Sequence, residues 1–227
     1  MAVITISRKL GSMGTYIGRK LAERIGYDYV DKQCLSLIMK EYGFSKFDNI
    51  YDAIPSFTDH FDEYRDNTIK FLATVIMAVA QHDNVVIAGR GSFGLLNSYS
   101  DVINVRITAP VNCRIKRVME QRKISEVEAR EVVEHNDLVR RHFVESDFRF
   151  NYANTADFDL ILDTSIVPPD LCVDWLEQIY AVSQEKRQDS RHSIKTIEVE
   201  GVLENHVRDM LALFREEKKP ILYQVEQ

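Results

Sequence analysis

The sequence is poor in the patterns that announce a bound metal, a disulfide framework or a membrane span. Cys34, Cys113 and Cys172 are its only cysteines. They lie far apart, without C-x-x-C spacing, in stretches that otherwise read as helix, so they are expected to be reduced core thiols. None of the six histidines, His60, His82, His135, His142, His192 and His206, is paired at H-x-x-x-H spacing, and there is no G-x-S-x-G elbow. That sets aside zinc held by the protein and a triad hydrolase. No run approaches the ~20 apolar residues of a membrane span, and the first residues lack the basic start and long apolar stretch of a secretory signal. With 29 Lys+Arg against 35 Asp+Glu, a net charge of -6, there is no basic surplus for nucleic acid. The expectation is a cytoplasmic protein that binds neither membrane nor nucleic acid, its oligomeric state left open.

What the chain does have is concentrated near its start. An apolar strand, Ala2 to Ile6, runs into Gly11-Ser12-Met13-Gly14-Thr15 and then into an amphipathic helix that ends at Gly26. A strand, a tight turn and the positive end of a helix together form an anion cradle. The phosphate-loop pattern asks for Gly, four residues, Gly-Lys and then Ser or Thr. With Thr15 in the last place, the lysine position holds Gly14, the glycine before it is Met13, and the first glycine is Arg8. The residues therefore allow either a phosphate cradle without its lysine or an ordinary strand-to-helix turn.

A chain of 227 residues suits one sizeable domain. Val85 to Ala88, Val102 to Ile107 and Leu160 to Leu162 read as further buried strands. Between them lie helical patterns: Ile69, Leu72, Ile76 and Val79 before the second strand, and Cys113, Val118 and Met119 after the third. Strands alternating with helices imply a parallel sheet covered on both faces. Ligands of such sheets bind beyond the carboxyl ends of the strands, so Ser7 to Gly14, Gly89 to Gly91, Thr108 to Pro110 and Asp163 to Ser165 should meet at one edge. The aromatic and acidic segment from Tyr42 to Asn67, with Pro55 inside it, reads as an insertion over that edge or as a helical excursion. Ser125 and Glu128 form a capping-box pattern, so a long helix should start near Glu126 and run through Asp137 and Arg141. The polar run Ser183 to His192 reads as a linker, Ile194 to Val199 alternates weakly, and Leu203, Val207, Met210 and Phe214 fit one helix face.

Three groups could carry chemistry. Arg90, between Gly89 and Gly91 after a buried strand, could grip a phosphate or pair with a structural carboxylate. Arg114 and Arg117 share a helix face, which is either solvated surface or part of a site. Asp137 lies near Arg140 and Arg141 on one helix, so that it could orient their guanidinium groups toward a polyanion or merely form an intrahelical salt bridge. Phosphoryl transfer needs several positive groups around the transferred group.

In this order and spacing, Ile4 to Arg8 with Gly11 to Gly14, Ile17 to Glu23 leading to Tyr29-Val30-Asp31-Lys32, Gly89-Arg90-Gly91, the Arg114 helix, Asp137-x-x-Arg140-Arg141 and Asp159 to Thr164 resemble the cytidylate kinases. The likeness is closer to a divergent cytidylate kinase-like family within the P-loop nucleoside monophosphate kinases, and it covers about Ala2 to Tyr180. It implies an α/β fold with a three-layer parallel sheet of the P-loop nucleoside monophosphate kinase type, a helical lid and a short C-terminal appendage. The kinase-like domain would span 1–182, with the lid at about 123–150, followed by a linker and appendage at 183–227. Carried over by position, Gly11, Ser12, Gly14 and Thr15 would hold donor phosphates, and Arg117 would approach the donor base or its phosphates. Arg90 would hold the acceptor phosphate, with Asp31 on the acceptor side. Asp137, Arg140 and Arg141 would act catalytically, the two arginines from the lid. Mg²⁺ would arrive with ATP, held through water or Thr15.

The implied function is ATP-dependent phosphoryl transfer to a small acceptor, a nucleoside monophosphate being one candidate. The alternative is a non-catalytic nucleotide- or phosphate-sensing module with a degenerate phosphate loop. The chain departs from the family in carrying Met13 where the divergent members have the third residue of Gly-Ser-Gly-Gly. It also has Gly91 where ordinary cytidylate kinases have an acid, so cytidine selectivity does not carry over. Arg8, which leaves the first strand at the mouth of the turn, is the expected source of the missing positive charge, with Lys9 and Arg19 as competitors.

Overall fold

Short β-branched runs that can shed water on both faces build the centre of the fold. In a computed structural model that describes residues 3–52, 63–186 and 192–216, β1 (Val3–Arg8), β2 (Asp28–Val30), β3 (Val85–Ala88), β4 (Val102–Thr108) and β5 (Leu160–Asp163) form one sheet in the order β2-β3-β1-β4-β5. Every pairing is parallel, with Ile6 beside Ala88 on one side and Val105 on the other. β1 continues through Arg8, past the expected end at Ile6. β2 has only three residues, too few to show a period in the sequence.

The two faces take different helices. Ile4, Ile6, Val86, Val105 and Ile107 pack with Tyr16, Ile17 and Leu21 of α1 (Gly14–Ile25) and with Cys172, Val173 and Leu176 of α8 (Pro169–Lys186). The opposite face carries α2 (Lys32–Glu41), α4 (Glu63–Gln81), α5 (Ser92–Leu96) and α9 (Gly201–Glu216), with Phe47 of α3 (Phe47–Asp52) in the same core. Ile69, Leu72, Ile76 and Val79 are buried there, as their spacing requires. Three layers result, as the resemblance implied. A third, smaller cluster places Leu10 of the turn against Ile115 and Val118 of α6 (Val111–Arg122) and Ala129 and Val133 of α7 (Glu126–His142).

Helix ends follow their chemistry. Gly26 closes α1 in the left-handed conformation at φ 70°, and α7 opens with the complete Ser125–Glu128 capping box. After His142 the chain winds into a π-helical turn, Phe143–Asp147. In the segment from Tyr42 to Asn67, residues 42–46 form turns, Phe47–Asp52 and residues 63–67 are helical, and Pro55 lies outside the described residues.

Two expectations near the C-terminus differ from what is found. Residues 183–186 of the expected linker are the last turn of α8, because the helix continues past its apolar stripe. Ile194–Thr196 forms a 3₁₀ turn capped by Ser193, and the weak alternation to Val199 joins no sheet. Leu203, Val207 and Met210 of α9 are buried in the same core as α2 and α4, and Arg215 reaches back to Asp28. No described helix is long and apolar enough to cross a membrane.

Candidate functional site

The turn after β1 is fixed by its carbonyls. Arg140 donates to the Arg8 carbonyl, the Ser12 amide to that of Lys9 at 3.1 Å, and Arg114 to that of Leu10 at 3.2 Å. Arg117 donates to the Gly11 carbonyl at 3.1 Å and the Thr164 hydroxyl to that of Ser12 at 3.0 Å. A planar trans peptide sets its N–H opposite its C=O. Holding the Leu10 and Ser12 carbonyls on one side therefore turns the amides of Gly11 and Met13 to the other, beside the N-terminus of α1. Neither amide has an acceptor among the described residues. This is the architecture of an anion cradle.

Sterics add to the constraint. Gly11 has φ 77°, and a Cβ there would lie 2.8 Å from the Arg114 carbonyl oxygen. Met13 adopts φ 65°, a conformation that costs a residue other than glycine roughly 1–2 kcal/mol. Ser12 is fully buried, and its Oγ has no hydrogen-bond partner among the described residues. Thr15 is half-buried in the first turn of α1.

Beside the cradle, Arg8, Arg90 and Arg140 line one recess, with Phe93, Phe143 and Tyr152 also in its wall. Arg90 is 5% exposed and sits in a run of three left-handed residues, at φ 58° between Gly89 at 77° and Gly91 at 69°. Backbone strain of this kind gathers where a side chain must be aimed. Phe148 and Phe150 cover the loop: a Cβ on Gly91 would meet the first ring at 2.9 Å, and one on Gly94 the second at 2.3 Å. Behind the recess Arg106 of β4 donates to the Tyr152 carbonyl at 2.7 Å and lies over the rings of Phe158, Tyr152 and Phe93. Burial lowers its pKa from the ordinary arginine value, and it stays charged.

The expected site residues separate into two groups. Arg8, Arg90 and Arg140 come together at the recess, and Gly11, Ser12, Gly14 and Thr15 form the adjoining turn. Of the others, Asp31, Arg117 and Asp137 bond to protein groups. Asp137 does not hold Arg140 and Arg141 together. It takes a two-pronged bond from Arg114, at 3.1 and 2.8 Å, because the helix carries its carboxylate toward α6 rather than along its own axis. Arg141 is exposed. Arg117 bonds Gly11 and, at 2.8 and 2.7 Å, Thr164, which places it on the carbonyl side of the turn. Asp31 caps α2 through the amides of Gln33 and Cys34 and accepts from Arg19 at 3.0 Å.

Arg114, 2% exposed, and Thr164 are the residues that sequence reasoning passed over as supports of the turn; the signal for Thr164 was only its place after a strand. Of the competitors for the missing charge, Arg19 is engaged by Asp31. Burial lowers the pKa of Lys9, aided by Arg114, Arg106 and Arg141 and opposed by Asp137. Among the described residues no cluster of His, Cys, Asp or Glu could hold a metal by itself.

Known proteins resemble this chain in sequence and in fold. The model of the cytidylate kinase-like family matches residues 3–166, a span that takes in the turn, Arg90 and Arg140 and stops short of α8 and α9. The chain is 26% identical over 181 residues to a cytidylate kinase from Ignicoccus hospitalis, covering 79% of this chain and 99% of that protein. It is similar to the crystal structure of an uncharacterized protein from Eubacterium ventriosum, with a TM-score of 0.63 and 20% identity over 80% of this chain and 98% of the other. A shikimate kinase from Bacteroides thetaiotaomicron has a TM-score of 0.46 and 12% identity over 79% of this chain and 98% of that one.

Proposed function

Because the chain belongs to the cytidylate kinase-like family, we propose that it transfers a phosphoryl group from a nucleoside triphosphate to a small acceptor. The observation that carries this reading is the adjacency of the amide-lined turn to the recess of three arginines. The donor phosphates lie in the turn from Gly11 to Thr15, and ATP is the donor. Arg90 holds an anionic acceptor, for which a nucleoside monophosphate is the first candidate, and Arg140 lies over the group in transit. Asp137, Arg114, Arg117 and Thr164 position the turn, and Asp31 organises the start of α2.

When bound with the nucleotide, Mg²⁺ would neutralise charge on the phosphates, and the Thr15 hydroxyl would face it. The protein's own part is positioning and charge stabilisation, which is most of what phosphoryl transfer requires. A second reading, a nucleotide- or phosphate-sensing module without turnover, is favoured by one observation: Gly14 stands where a phosphate loop carries lysine.

Incubation with Mg-ATP and a panel of nucleoside monophosphates and other small acceptors separates the two. ADP formed in step with one phosphorylated acceptor supports the kinase. Nucleotide binding without acceptor-dependent ADP supports the sensor.

A further inference from the structure

A phosphate loop ordinarily has glycine at the place of Arg8 and lysine at the place of Gly14; this chain has arginine at the first and glycine at the second. The two departures are physically one. Gly14 is not in the left-handed region, so its backbone would accept any residue. A Cβ on it, however, would lie 2.4 Å from the Arg8 Cβ and 3.0 Å from the Arg8 Cγ, well inside contact distance. The turn cannot hold side chains at both 8 and 14; without Arg8, a Cβ at 14 would still meet the Ile107 Cβ at 3.3 Å, a contact that a shift of a few tenths of an ångström relieves. Downstream, the same side chain reaches Gly89, where a Cβ would meet an Arg8 guanidinium nitrogen at 2.1 Å. Arg8 therefore runs from the end of β1 across the first residue of α1 and sets its charge against the loop that carries Arg90.

We infer that Arg8 and Gly14 are a reciprocal exchange of the usual glycine and lysine, and that the exchange moves the positive charge from the donor's inner phosphates to the transferred phosphoryl group. This rests on the kinase reading above. In the step itself the acceptor oxygen, as an anion, forms a bond to the γ-phosphorus while the bond from that phosphorus to the bridging oxygen breaks. The electron pair leaves on the β-phosphate of ADP. Charge spread over the three outer oxygens of the phosphoryl group meets guanidinium groups from both sides: Arg8 from the donor turn, Arg90 from the acceptor loop and Arg140 from α7. A lysine at 14 would start from the helix and reach along the donor; Arg8 starts from the strand and reaches between donor and acceptor.

The test is a cycle of four proteins: wild type, Arg8→Gly, Gly14→Lys and the double variant Arg8→Gly/Gly14→Lys. Thermal unfolding reads the steric half. Gly14→Lys alone should lower the midpoint by roughly 4 to 10 °C, the scale of overpacking in a chain of this size, and adding Arg8→Gly should recover most of that loss. Additive effects would overturn the exchange.

Titration with ADP and with a non-hydrolysable ATP analogue, each with Mg²⁺, reads the charge half without needing the acceptor. Arg8→Gly should weaken the analogue by roughly ten- to a hundred-fold and ADP by no more than about two-fold. Equal losses, or none, would overturn the assignment to the transferred group. If wild type binds neither nucleotide, the kinase reading falls with the charge assignment, while the unfolding cycle still decides the exchange.

Discussion

Asp147, at the end of the π-helical turn, takes both arms of the Arg65 guanidinium at 2.9 and 2.7 Å, and the two side chains are 6% and 7% exposed. This pair ties the segment read as a lid to the start of α4. The same segment is tied to the turn after β1 through Arg140 and, by way of Arg114, through Asp137. Its C-terminal half is thus anchored on two sides of the recess.

Removing one member of that pair should be costly, since the other is left charged and buried. Asp147→Ala should destabilise the protein by about 3–5 kcal/mol. The double variant Arg65→Met/Asp147→Leu should recover most of the loss. Urea unfolding of the three proteins measures both; a double variant no better than the single one would contradict the argument from desolvation.

Thr164→Val keeps the shape of the side chain and deletes the hydroxyl that accepts from Arg117 and donates to the Ser12 carbonyl. Stability should fall by about 1–3 kcal/mol, the scale of a buried partner left unsatisfied. Nucleotide affinity should fall too, because the peptide that presents the Met13 amide is no longer held. Calorimetric titration of ADP checks this, and unchanged affinity would mean that the turn keeps its form without Thr164.

Arg90→Ala should weaken the acceptor more than the donor, because the residue follows β3 while the cradle follows β1. In steady-state kinetics on the acceptor identified by the panel, the acceptor KM should rise at least about ten-fold with the ATP KM nearly unchanged. Parallel rises in both would make Arg90 a structural residue.

Burial pushes the Cys34 thiol up from 9.0 to about 12, with Asp31 and Asp28 adding to the shift. Below pH 9 the thiol is protonated in both folded and unfolded chains and contributes no pH dependence. Between about 9 and 12 the unfolded chain releases this proton and the folded chain keeps it, so stability falls as pH rises. Unfolding free energies measured from pH 8 to 10.5 should decline less steeply in Cys34→Ala than in wild type. Identical slopes would show that the thiol titrates normally.

Local chemistry was readable from the sequence and long-range pairing was not. The capping box at Ser125 and Glu128 lies within a single turn, and it placed the start of α7 where it is found. β3 announced itself by four apolar residues in a row. The partner of Asp137, by contrast, sits on another helix. Nothing in the i, i+3 and i, i+4 relations that suggested Arg140 and Arg141 could reveal it. Arg106 was missed for a similar reason: its surroundings are rings brought in from α5 and from the segment before β5. Arg8 was legible as a candidate because a pattern with a missing lysine draws attention to nearby cations, but its route over Gly14 to Gly89 required coordinates.

The packing of α9 bears on how the chain is made. Leu203, Val207, Met210 and Leu211 complete a core whose other walls, α2 and α4, are synthesised much earlier. Domains form as units while a ribosome adds about 5–20 residues per second. Until Leu211 has left the exit tunnel, the outer faces of α2 and α4 remain uncovered. A nascent chain stalled ahead of α9 therefore presents the kind of apolar surface that chaperones hold, even though the turn after β1 and the five described strands have already been translated.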